Sequence, residues 1–278
     1  MKKGRKLALT LGIGLFLVGG LTTLAGCSNS SKNKVTTVTV GTSGAPKPFT
    51  YESKGKIKGY DIDTARAVDK LLPEYKFTFK KTEFSSILAG LDSGRFEMGA
   101  NNFAANAQRQ KKYYYSKPIF KDQYVAVVQK NDNSIQKLDD IAGKTTITSP
   151  GINFTTALEN FNKTASVKTK ITYSQEDASK QVQDVEDGKY DYILIDKPLY
   201  ENYSKTFNFK NTKAIDLDAS DTKKISASTP YSYFLISKTP DGKKLLKKVN
   251  KAITKIQDNG TAKKISEKYF YDDYVPNK

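Results

Sequence analysis

Arg109, Asn101, Asn102 and Asp196 are the side chains of this 278-residue sequence whose type and placement could do chemistry. A guanidinium is a planar, permanently charged fork of donors that matches a carboxylate at two points. Arg109 follows Asn106, a residue type that caps helices, so it is expected in a helical first turn. Just before it, the apolar stretch from Phe96 to Met98 reads as a short strand that runs out into Asn101-Asn102. Open α/β sheets hold ligands beyond such carboxyl ends, so the proposed target of Arg109 is an α-carboxylate. An isolated Arg at a helix start is more often an ordinary surface ion-pair partner, so the constellation carries the reading. Asp196 ends a second apolar run, Tyr190 to Ile195, and from the residues alone it either receives a ligand cation or caps the helix that Pro198 starts. In Ser149-Pro150-Gly151-Ile152-Asn153-Phe154 a strand turns through glycine into a helix, whose first free N–H groups suit an anion.

Composition narrows the chemistry. With no His and Cys27 as the only cysteine, the usual transition-metal ligand sets are missing and no intrachain disulfide can form. No acid–base pair is evident among the candidate residues, so neither an enzyme nor a cofactor is expected. The net charge is +17, and the Lys residues are spread along the chain without a recognition helix or an aromatic RNA-binding pattern, which argues against nucleic acid. Such a field suits either plain solubility or attraction to polyanions at a cell surface.

The amino-terminal residues point to an address. Lys2, Lys3, Arg5 and Lys6 precede an uncharged apolar stretch from Leu7 to Ala25, the pattern of a signal peptide over residues 1–26. Leu24-Ala25-Gly26-Cys27 resembles the lipobox of bacterial lipoproteins, which implies cleavage before Cys27 and its lipidation. Removing the four signal-peptide cations from +17 leaves +13 on the mature chain. Residues 27–34 are then a lipidated Cys and a flexible Ser-, Asn- and Lys-rich tether on the outer face of the cytoplasmic membrane.

The elements that must position the candidate residues follow from periodicity. Val35 to Val40 alternates as a strand; Asp61 and Asp63 stand at the start of a helix with Ile62, Ala65, Val68 and Leu72 inward, where both acids are expected to be structural caps. Phe84, Ile87, Leu88 and Leu91 give one face of a helix ended by Ser93-Gly94. Gln123 to Val128 is a strand crossing to a second α/β unit, in which helices are expected over Asn153 to Phe161 and Gln175 to Glu186. Ser232 to Ile236 then returns before a helix over Pro240 to Ile256 and a last one capped by Thr261. Alternating strands and helices imply a mainly parallel sheet covered on both faces.

This order of parts resembles the polar amino-acid substrate-binding proteins of ABC importers, down to Tyr115-Ser116-Lys117-Pro118 and the closing AKKISEKYF. The resemblance implies an α/β, two-lobe periplasmic-binding-protein-like fold of type II, with mixed, mainly parallel sheets. Lobe I is 35–122 plus 231–278, lobe II is 123–230, and two crossing strands form the hinge. It also implies that Asp196 receives an α-ammonium while Arg109 takes the carboxylate. Phe49, Phe84 and Ile87 then form an apolar wall, Asn101 and Asn102 supply amide contacts, Ala104 sits where relatives have Ser, and Ser149, Ile152, Asn153 and Phe154 serve from lobe II. The form Ala100-Asn101-Asn102 is similar to the cystine-binding branch. The implied partners are a free amino acid, an ABC permease with its ATPase, and the membrane through lipid, with the protein a monomer. The basic surface proteins of lactic acid bacteria are also similar, which implies adhesion to mucus, collagen or polyanions as an alternative role.

Overall fold

The computed structural model describes residues 35–226 and 231–276; the expected signal peptide, Cys27 and the tether lie outside them. The chain opens with β1 (Thr36–Thr42), a hairpin of β2 (Tyr51–Ser53) and β3 (Lys56–Lys58), α1 (Tyr60–Asp69), β4 (Tyr75–Lys81), α2 (Phe84–Asp92), β5 (Met98–Ala104), α3 (Ala107–Lys112), β6 (Tyr113–Tyr115) and β7 (Phe120–Lys121). It continues with β8 (Tyr124–Gln129), β9 (Thr145–Thr148), α4 (Asn153–Thr164), β10 (Lys170–Tyr173), α5 (Ala178–Glu186), β11 (Tyr192–Asp196), α6 (Lys197–Phe207), β12 (Thr212–Asp216) and α7 (Ala219–Ile225). The last elements are β13 (Tyr231–Ser237), α8 (Pro240–Asp258) and α9 (Thr261–Phe270).

The long strands divide into two mixed sheets. One has the order β4-β1-β5-β13-β6, with β7 also on β13; the other has the order β10-β9-β11-β8-β12. Within the first, β4, β1 and β5 are parallel while β13 runs against them. In the second, β10, β9 and β11 are parallel, and β8 runs antiparallel to β11 and β12. The antiparallel members are the strands on which the chain leaves one sheet for the other or comes back. Central strands β8 and β11 are buried on both faces and accordingly read as continuous apolar runs, whereas edge strand β10 is largely exposed.

Several local readings change. Strand β5 does not stop at Asn101-Asn102 but carries both, because β13 pairs on to Ser232↔Ala104 and Tyr233↔Phe103 before its register shifts ahead of Leu235↔Gly99. Asn102 lies at that irregularity with φ 46, a left-handed conformation that Asn tolerates better than most residues. Helix α5 begins at Ala178 because the side chain of Asp177 accepts from the Ser179 N–H. Thr261 is the first residue of α9 rather than its cap; Gly260, with φ 75, holds the capping position.

Phe49, expected in a ligand wall, is fully buried in an aromatic cluster. Its ring lies 4.9 Å from that of Phe120, 5.1 Å from Phe270 and 6.4 Å from Tyr60. Ile87 is likewise core, packed with Leu91, Phe96 and Phe103. Apolar area decides both cases: large rings and branched chains are worth more against one another than on a wetted surface.

Gly59 sets the start of α1 with φ 128, and a Cβ there would stand 2.2 Å from the Phe49 carbonyl oxygen. Gly59→Ala is therefore expected to lower the unfolding free energy by about 3 kcal/mol or more in urea titrations. Gly94→Ala, at φ 71 with nothing within 4 Å, costs only about 1 kcal/mol; equal losses at the two positions would contradict the steric account.

Candidate functional site

Arg109 enters the site from α3. Asn106 caps that helix, its side chain accepting from the Arg109 N–H at 2.8 Å, and so fixes the backbone from which the guanidinium projects. The arginine is only 6% exposed. Its Nη1 donates to the Ala104 carbonyl at 3.2 Å and its Nη2 to the Gly151 carbonyl at 2.6 Å. The guanidinium carbon sits 5.7 Å from the Phe84 ring and 5.5 Å from the Phe103 ring, within cation–π range of both. Among the described residues no carboxylate neutralises it, and burial pushes its pKa down. Gly151 belongs to the turn before α4, so this arginine already joins the two sheets' chain segments through backbone oxygen.

Asp196 enters from the end of β11 and is fully buried. Although it occupies the position before α6, its side chain makes no capping bond to that helix. Instead Oδ2 accepts from Asn102 Nδ2 at 3.1 Å, a contact from β11 to β5. The irregular backbone at Asn102 aims the amide across. Asn101 faces elsewhere: its Oδ1 accepts from the Ser43 N–H at 2.6 Å and from the Ser43 hydroxyl at 2.8 Å, and its Nδ2 donates to the Ala45 carbonyl. Of the two amides read as ligand contacts, one tethers a loop and one reaches toward the acid.

The remaining expected residues fall into place around this line. Ala104 is buried and supplies a carbonyl to Arg109. Ile152 precedes α4 without a side-chain cap, which leaves the first-turn N–H groups of that helix to another acceptor. Asn153 Nδ2 donates to the Tyr124 hydroxyl at 3.0 Å, and Phe154 packs edge-on to the same ring at 5.3 Å. Ser149 is occupied by Gln181 Nε2, which donates to its hydroxyl at 2.9 Å.

Two acids were not anticipated here. Asp61, expected as a helix cap, is fully buried, and its Oδ2 accepts from the Asn102 N–H; Asp63 alone has the structural role, bound by Arg66, Lys268 and Tyr269. Asp122, 2% exposed, lies between β7 and β8 beside Asp196. Burial raises all three carboxyls, Asp61 and Asp196 to about 7, and Asp122 is raised further by the charges of Asp196 and Asp61. The signal for Asp122 was alternation: Phe120 and Tyr124, two residues either side, are both buried, and a strand places residues two apart on one face. Buried oxygens with no hydrogen-bond donor gather here, among them Asp61 Oδ1, Asn102 Oδ1 and Asp196 Oδ1. The arrangement can hold a molecule that brings an anion to Arg109 and a donor-rich cation to Asp196.

Comparison with known proteins gives this geometry its setting. The model of the bacterial extracellular solute-binding proteins, family 3, matches residues 38–272. The L-cystine-binding protein TcyJ of Bacillus subtilis is 30% identical over 279 residues, covering 99% of this chain and 97% of that protein. TcyA of the same organism, also an L-cystine-binding protein, is 31% identical, covering 94% of this chain and 97% of its own. A solved structure described for glutathione import in Gram-positive bacteria via GshT and the cystine ABC importer TcyBC of Streptococcus mutans is 38% identical at TM-score 0.79, covering 87% of this chain and 98% of its own. A putative L-cystine ABC transporter structure from Listeria monocytogenes is 30% identical at TM-score 0.73, covering 87% and 99%. With most of its length matched, the chain belongs to the bacterial extracellular solute-binding proteins of family 3, a family of binding proteins.

Proposed function

We propose that this protein captures an extracellular amino acid through its zwitterionic head group and delivers it to an ABC importer, with cystine as the ligand. The observation that carries the reading is a buried arginine without a carboxylate and a buried aspartate without a cation, held close together. Asn102, which binds Asp196, and Ala104, which binds Arg109, are two residues apart on β5, a separation of about 7 Å. An α-amino acid puts its carboxylate and ammonium a few ångströms apart, so it can satisfy both ends at once. In a dry site such pairing is worth far more than at a surface, because each charge is otherwise uncompensated.

The two-lobe division at about residues 122 and 231 supplies the mechanism. The ligand binds both lobes, favours the form in which they meet, and the permease receives that form. Arg109 on Gly151 and Asn102 on Asp196 are contacts that such closure makes. The relatives named for cystine favour that ligand. The relative at 38% identity favours glutathione as a second one, since its γ-glutamyl end carries the same free α-carboxylate and α-ammonium. The protein works as a lipid-anchored monomer, attached through Cys27. Exposed lysines such as Lys243, Lys247, Lys251 and Lys255 along α8 give it a basic face able to hold polyanions as a separate surface role.

Arg109→Met keeps an apolar stem between Phe84 and Phe103 but removes the charge. Its expected effect is loss of ligand-induced stabilisation by cystine or glutathione in thermal-shift assays, with the ligand-free melting temperature unchanged or higher, since an uncompensated buried cation is gone. A ligand shift that survives the substitution would take Arg109 out of the site. Cys27→Ser is expected to move the protein from the membrane fraction to the medium; retention on membranes would dismiss the lipid anchor.

A further inference from the structure

The unexplained groups of the site are its extra acids. Asp196 pairs with Tyr124 in the antiparallel register of β11 and β8, and directly opposite residues share a face. Asp122 is two residues before Tyr124, so it lies on that same face as the diagonal neighbour of Asp196, within reach of its carboxyl. Both side chains are withdrawn from water. Asp196 has a donor from Asn102 on one oxygen, and neither Asp122 oxygen has a hydrogen-bond partner among the described residues. Two ionised carboxylates cannot hydrogen-bond each other; one proton between them makes the contact favourable.

Resting on the amino-acid reading of the site, we propose that Asp122 is a positioning residue that holds a proton against Asp196 while the site is empty, and that a ligand's ammonium takes the proton's place. The exchange balances. The protonated carboxyl of Asp122 and the carboxylate of Asp196 receive one R–NH3+; both acids then face the ammonium as carboxylates, and one proton leaves to solvent. The ammonium, with three donors, answers oxygens that the protein's own donors leave unmet.

The other groups around the pair fit this assignment. Asp61 on α1 adds a further negative charge, and together with Asp196 it makes simultaneous ionisation unfavourable, so that Asp122 holds its proton well above the usual carboxylate range. Tyr60, Tyr124, Tyr203 and Tyr233 also face these acids, and each phenol is pushed upward, so none of them supplies a proton near neutrality. Among the described residues no Lys or Arg is found acting on Asp122 or Asp196.

Proton release makes affinity depend on pH: the association constant is expected to rise by up to about tenfold per pH unit through the range in which the empty pair is protonated. The test is calorimetric titration of the full protein with L-cystine and with glutathione at about pH 7.5, where Asp196 is mainly ionised, in buffers of different ionisation enthalpy. Wild-type protein should release close to one proton per ligand. Asp122→Asn, which keeps a donor for Asp196 but has no acidic proton, should release fewer protons than the wild type and show a flatter pH profile, the remainder coming from Asp196. Binding by the wild type without proton release, or unchanged release in Asp122→Asn, overturns the assignment of Asp122 alone. Absence of binding to either ligand at every pH overturns the amino-acid reading and this inference with it. A ligand-free readout guards against misfolding of the variant. Because the folded protein holds protons that the unfolded chain gives up above about pH 4, the wild-type melting temperature should fall from pH 5 to 8. Asp122→Asn should lessen that fall, and an identical slope would count against the proposal.

Discussion

Uncompensated charge in a dry place is the constraint on which this molecule turns. Arg109 is stripped of water between two aromatic rings and satisfied only by carbonyl oxygens, which bind it but carry no net charge. Nearby, Asp196, Asp122 and Asp61 are stripped of water with too few donors. A fold assembled for stability alone would bring these groups together or expose them, because an unpaired buried ion costs several kcal/mol. The fold instead keeps them apart, which is the feature on which the proposed binding of a molecule carrying both signs rests.

Strand β5 is the element that maintains the separation. It is bracketed by β1 and β13, so its position is fixed from both sides. Its successive side chains then do different work. Asn101 turns back to hold the Ser43–Ala45 loop, Asn102 reaches to Asp196, Phe103 supports the guanidinium, and Ala104 offers it a carbonyl. The irregular pairing near Asn102 departs from regular strand geometry and redirects one amide out of the sheet.

Much of this was legible in the residues. The apolar periodicity of Phe84 to Leu91, the cap at Asn106 and the Gly151 turn each involve residues close in sequence, whose geometry follows from local rules. Asp196 could be placed at a strand end but not assigned, since a cap and a ligand contact need the same residue type. What stayed hidden depends on tertiary neighbours. Phe49 looked like a wall because nothing near it in sequence shows that Phe120 and Phe270 will surround it. Asp61 looked like a cap because its true partner, Asn102, is a distant backbone N–H. Asp122 is marked by nothing in its own residue type; only the burial of Phe120 and Tyr124 on either side shows that it faces inward.

The bond from Arg109 to Gly151 has a further implication, because its acceptor is main chain. No substitution at position 151 deletes a carbonyl; only a change that moves the turn can do so. Side chains around that turn can therefore change without deleting the acceptor, and the latch they surround persists. A bond of this kind is inherited with the path of the chain rather than with any one residue.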